Sequence, residues 1–149
     1  MAAKRILWPT DFFDSDRDAL AVAGELAAVS HAELFVLHVI GDVAEEVYEE
    51  KTKEGKDRAA WALWKISKEK AEKRLDDMVQ ETLPTLERYQ LITMFGDPTS
   101  RILETIREHS IDLVVLAARR EKTLLQEMLL GSVAYKIVRT APCNVLLVK

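Results

Sequence analysis

The chain is short of cysteine, histidine, glycine and basic excess, and each shortage excludes something. Its single cysteine, Cys143, rules out an internal disulfide and fits a reducing cytoplasm. Its three histidines, His31, His38 and His109, lie far apart without cysteine partners, which argues against a zinc site. Lysine and arginine number 21 against 25 acids, a net charge of −4 without the clustered basic footprint of a nucleic-acid groove. No apolar run approaches the roughly 20 residues of a membrane-spanning helix. The opening Met1-Ala2-Ala3-Lys4-Arg5 passes straight into a β-like run and not into a signal-peptide core, so the expected location is cytoplasmic.

What is present is an ordinary soluble composition, 48% apolar and 31% charged over 149 residues. That length suits one domain, residues 1–149, burying about two-thirds of its unfolded surface. Apolar period and punctuation alternate along it. Arg5-Ile6-Leu7-Trp8 reads as a strand ended by Pro9, with Thr10-Asp11 in the turn. Asp14, Ser15, Asp16 and Asp18 supply caps and first-turn acids for a helix to about Val29. Leu34-Phe35-Val36-Leu37-His38-Val39 is almost continuously apolar, the mark of a strand covered on both faces.

Residues 42–56, acidic and lacking an apolar period, read as the most mobile segment. A long helix follows with Trp61, Trp64, Ala71, Leu75 and Met78 at helical spacing, the tryptophans covering the sheet. Strands are expected at Gln90–Phe95, Asp112–Ala117 and Cys143–Val148, and helices around Ile102–Ile106 and Gly131–Thr140. The alternation predicts an α/β fold with a parallel sheet joined by right-handed crossovers. A ligand would sit outside the carboxyl ends of the strands where their order reverses, between the first and the fourth.

One stretch carries chemistry. The buried run Leu113-Val114-Val115-Leu116 leads through a loop to Gly131-Ser132-Val133, where a helix opens. The first N–H groups of a helix lack internal partners and favour an anion. Yet the loop begins Ala117-Ala118-Arg119-Arg120-Glu121-Lys122, without the glycines of a phosphate cradle. Gly131-Ser132 could hold a ligand or simply cap its helix, and Asp11 could be a site group or a turn residue capping the next helix. Acids in a first helical turn explain Asp14, Asp16 and Asp18 more economically than a metal does. A hydrolase triad of Ser132, His38 and Asp11 lacks the Gly-x-Ser-x-Gly elbow; His38 reads as a satisfied core histidine and Cys143 as an inert core thiol. A phosphoryl-accepting receiver domain would need an acceptor Asp after the third strand, where Met94-Phe95-Gly96 stands.

With Leu37-His38-Val39-Ile40, and with Leu129-Leu130-Gly131-Ser132-Val133 running on to Ala141-Pro142-Cys143 before the last apolar strand, the chain resembles the universal stress protein family over essentially its whole length. The resemblance implies a doubly wound, Rossmann-like five-stranded parallel sheet of order 3-2-1-4-5 with helices on both faces. It also implies a homodimer through the C-terminal strand Val145-Leu146-Leu147-Val148 and a stress or signalling role, while charge and the lack of long apolar runs already argue against a nucleic-acid or membrane partner. One branch of the family binds ATP and carries Gly-x-x-Gly, nine residues, then Gly-Ser or Gly-Thr. Here Gly131-Ser132 match, while Ala118 and Glu121 stand where the loop glycines would be. By the same resemblance Asp11 contacts ribose or adenine, the Val39 backbone holds the adenine edge, and Ser132 with the N–H groups of Ser132 and Val133 faces phosphate. The implied ligand is AMP, ADP or ATP, the last with Mg. Binding is weakened at the phosphate end, by Glu121 through its charge and by Ala118 if that position needs a positive φ. The rivals are a slow ATPase in the same crevice and an interaction module that binds no nucleotide.

Overall fold

The computed structural model describes residues 2–41, 58–118 and 131–149. The expectations placed on residues 42–56, on the Trp61 side chain and on Glu121 fall outside the described residues. The elements in order are β1 (Arg5–Pro9), α1 (Asp14–Ser30), β2 (Glu33–Ile40), α2 (Arg58–Thr82), β3 (Tyr89–Phe95), α3 (Pro98–Glu108), β4 (Leu113–Ala117), α4 (Ser132–Thr140) and β5 (Asn144–Val148). The strands form one sheet of order β3-β2-β1-β4-β5, every pair parallel, as the resemblance implied. Two of the boundaries that differ from the sequence reading have a clear local reason. Asp112 stays out of β4 because its carboxylate accepts the N–H groups of Lys4 and Arg5 at the amino end of β1. Tyr89 joins β3 because its ring packs into the core while its hydroxyl donates to Asp76 of α2 at 2.6 Å.

The apolar runs are explained by what covers them. Along β1, Ile6 and Trp8 face α1 and α2, and Leu7 between them faces α3 and α4. In β2, Leu34 and Val36 join the first core while Phe35, Leu37 and Val39 join the second. In β4, Leu113 and Val115 alternate with Val114 and Leu116 in the same way. Period-2 side chains with apolar partners on both faces leave no polar position to alternate with. Trp8 is fully buried and its indole N–H donates to the backbone oxygen of Asp16 at 3.1 Å, so the widest core side chain tethers the start of α1. Gly24 lets α1 come close to the end of α2: a Cβ there would lie 2.3 Å from Leu83 Cδ2. α1 ends on His31 in the left-handed conformation, with Ala32 N–H returning to Ala27 O. Among the described residues no helix is long and apolar enough to cross a membrane.

Helix α2 supplies an internal comparison, since Leu75 is fully buried and Leu63 is 60% exposed. Leu75→Ala is expected to cost about 2–5 kcal/mol, and Leu63→Ala no more than about 0.5 kcal/mol. Urea denaturation of the two variants checks this.

Candidate functional site

β1 sits where the strand order reverses, with β2 on one edge and β4 on the other. Past its last residues the connections leave in opposite directions, and a cleft opens at the carboxyl ends. The cleft encloses about 610 Å³, open solvent included. It brings together all five residues singled out from sequence, Asp11, Val39, Gly131, Ser132 and Val133. The structure adds Asp16 from α1, Pro98 and Ile102 from α3, and Leu116 at the end of β4.

The turn between β1 and α1 is organised by Asp16. Its Oδ2 accepts the Thr10 hydroxyl at 2.6 Å, the Asp11 N–H at 3.0 Å and the Phe13 N–H at 3.3 Å. Asp16 is the third residue of α1 and Phe13 is the helix's cap position, so the carboxylate reaches back as in half of a capping box. Capping thus falls to Asp16 and not to Asp11, which is exposed at the cleft mouth. Among the described residues no three His, Cys, Asp or Glu side chains gather as a metal set. Phe12 next to Asp11 has a left-handed φ of 64°, with the His38 ring 4.3 Å away and the Arg74 guanidinium 4.2 Å over its face. His38 Nδ1 lies 2.8 Å from Thr10 O, on the α1 and α2 side of the sheet; the histidine is satisfied there and forms no triad with Ser132.

Two helix starts border the cleft and differ in what they offer. α3 is closed: Pro98 occupies its first turn and has no N–H, and Asp97 Oδ2 accepts both the N–H and the hydroxyl of Ser100 at 2.9 Å. Those two bonds, with a smaller contribution from Lys136, hold the Asp97 carboxyl below the ordinary aspartate range. α4 is open. Its cap position is Gly131, with no side-chain bond, and Ser132 is already the first helical residue. Ser132 therefore does not cap, and the first-turn N–H groups face the cleft without a hydrogen-bond partner among the described residues.

Val39 is buried with its side chain in the α3 and α4 core, so what it can offer a ligand is backbone. Ala118 corrects one expectation. It is not among the described residues of positive φ, and its N–H continues the sheet to Val148 O at 2.8 Å. An alanine fits there without left-handed strain. Cys143 is half-buried, and burial followed by the nearby Asp112 charge pushes its thiol up, which suits an inert thiol.

Asp16, Thr10 and Pro98 escaped the sequence reading as site residues. Asp16 was legible only as a first-turn acid, since nothing in its spacing says that its carboxylate turns back.

Residues 2–149 match the model of the universal stress protein family. A universal stress protein of Methanocaldococcus jannaschii is 32% identical over 146 residues, covering 98% of this chain and 82% of that protein. A solved universal stress protein in complex with cAMP superposes with a TM-score of 0.69 at 21% identity, covering 100% of this chain and 99% of its own. One from Archaeoglobus fulgidus in complex with dAMP gives 0.64 at 15% identity with both chains fully covered, at 100%. At those identities the two structures speak to the fold.

Because the carboxylate form of Asp97 is the one favoured in the fold, its contribution is complete above about pH 4 and disappears as pH falls through its lowered value. Asp97→Ala should cost about 1 kcal/mol at pH 7. The difference from wild type should close in strong acid, as read from urea midpoints at both pH values.

Proposed function

The chain belongs to the universal stress protein family, and from that premise we propose that it is an adenine-nucleotide-binding member, a single cytoplasmic domain working as a homodimeric stress-response and signalling module. The observation that carries the reading is the meeting of Asp11, Val39, Gly131, Ser132 and Val133 in one cleft onto which an uncapped helix start opens. Asp11 takes the ribose or adenine, the Val39 backbone the adenine edge, and Ser132 with the N–H groups of Ser132 and Val133 the phosphate. The apolar wall of Leu37, Ile102 and Leu116 suits a flat base. Universal stress proteins of the same fold have been solved in complex with cAMP and with dAMP, which supports an adenosine monophosphate as the ligand class.

The reading favours AMP and ADP over ATP. Glu121 stands at the second loop-glycine position of the ATP-binding branch, and a carboxylate there opposes the added phosphate charge, with Mg²⁺ as the triphosphate's counterion. Ala118 no longer contributes to the argument, having no strained φ to relieve.

The dimer is argued from β5. It is an edge strand, and Leu146 on its outer half is 37% exposed. Val148 O bonds Ala118 toward β4, so by parity Val145 and Leu147 turn their N–H and C=O groups to the open edge. An unpaired apolar edge invites a second copy.

Mass spectrometry of nucleotide released from protein purified without added ligand should find AMP or ADP near one per chain. In calorimetry AMP should bind more tightly than ATP. Glu121→Gly should raise ATP affinity about fivefold, the order of 1 kcal/mol for one like charge in a solvated crevice, and Ala118→Gly should change nothing. An empty protein that binds no added AMP would leave the non-binding interaction module as the reading.

Sedimentation at micromolar concentration should show a dimer, and Leu147→Pro, which removes an edge-facing N–H and no ladder bond, a folded monomer. A wild-type monomer sinks the β5 interface.

A further inference from the structure

His38 has no part in the ligand contacts above, yet its ring occupies a position with consequences for Val39. Along β2 the odd residues turn their N–H and C=O groups toward β1: Glu33 N–H donates to Lys4 O, and Thr10 N–H donates to Leu37 O. The even residues turn to β3, with Leu34 N–H on Arg88 O and Ile40 O accepting Gly96 N–H. Continued by one step, the parallel ladder would join Val39 N–H to Thr10 O. That bond is not formed among the described residues. Thr10 O instead has His38 Nδ1 at 2.8 Å, and since a carbonyl only accepts, Nδ1 carries the hydrogen. The same turn is also held by Asp16 Oδ2 on the Asp11 and Phe13 N–H groups. Phe12, the left-handed residue between them, lies against the His38 ring.

We propose that His38 is a positioning residue of the nucleotide site: by taking the Thr10 carbonyl it ends the β1–β2 ladder one bond early and keeps the Val39 N–H and C=O directed at the ligand. The inference rests on the adenine-nucleotide reading, and the chemistry makes it specific. Adenine presents an acceptor ring nitrogen beside a donor amino group, which match one N–H and one C=O on the same side of a strand. Guanine presents a donor beside an acceptor and is mismatched at both. Without the His38 donor, Thr10 O is free to take the Val39 N–H, the ladder closes, and the site loses its preference for adenine.

The test is calorimetry with AMP and GMP on wild type, His38→Leu and His38→Asn, alongside amide hydrogen exchange of Val39 in the nucleotide-free proteins. The wild type should prefer AMP. His38→Leu should lose at least tenfold in AMP affinity with GMP unchanged, and its Val39 amide should exchange more slowly. His38→Asn, whose side-chain amide can donate to the same carbonyl, should recover most of both. AMP affinity within twofold of wild type and unchanged Val39 exchange in His38→Leu would overturn the proposal. If the wild type binds neither nucleotide, the adenine reading fails by itself, and His38 is judged on exchange alone, where an unchanged rate overturns its role. If His38→Leu does not fold, His38→Asn is compared with His38→Asp, close in size but lacking the amide donor; equal AMP affinity in the two overturns it.

Discussion

The constraint from which the cleft follows is the central place of β1, bonded on one edge to β2 and on the other to β4 while both faces are buried. A strand so enclosed has no freedom except at its ends. At the carboxyl end the chain must turn into α1, and α1 lies on one face only. The opposite face, between α3, α4 and the ends of β1 and β4, is left open there. Trp8 reinforces this geometry by joining the deepest part of that core to the first turn of α1 through Asp16 O. The turn carrying Asp11 is thereby fixed by groups buried beneath it.

The cleft's polarity follows from unequal helix ends. α3 brings its own anion, Asp97, and a proline without an N–H, so its dipole is answered locally. α4 begins on a glycine and brings no side chain to its own amino end. Among the described residues nothing answers the partial positive charge of that end. The carboxylates of Asp11 and Asp16 lie on the β1 side, so the cleft is polarised: negative charge is disfavoured toward β1 and favoured toward α4.

Backbone pairing supplies the remaining element. A parallel strand pair ends where a donor and an acceptor cease to meet, and here a side chain decides the point. His38 on Thr10 O and Asp16 on the neighbouring N–H groups hold the turn at two successive points. Both side chains come from elements flanking the cleft and neither depends on a ligand, which is the condition for a site formed before binding.

Much of this was legible in the residues. Doubly covered strands show themselves as unbroken apolar runs such as Leu34 to Leu37, because burial on both faces abolishes alternation; strands alternating with helices then leave few topologies. The ending from Gly131 to Cys143 marked the family, and with it the strand order and the five candidate residues that line one cleft. The sequence could not show which way a side chain turns. Asp16 looked like any first-turn acid, His38 like any core histidine, and Ala118 like a strained substitute for glycine. Their actual roles depend on where Thr10 O, the N–H groups of Asp11 and Phe13, and Val148 O come to lie, and for His38 and Ala118 those partners belong to segments distant in sequence. Period and composition therefore determined which segments pair and which faces are buried, since these depend on the free energy of apolar burial summed over many residues. The hydrogen-bond partners at the cleft were decided only by the tertiary structure, since each is a matter of ångströms: His38 and Ala118 meet carbonyls of segments distant in sequence, and Asp16, though its partners are near in sequence, turns back on them only in the packed turn.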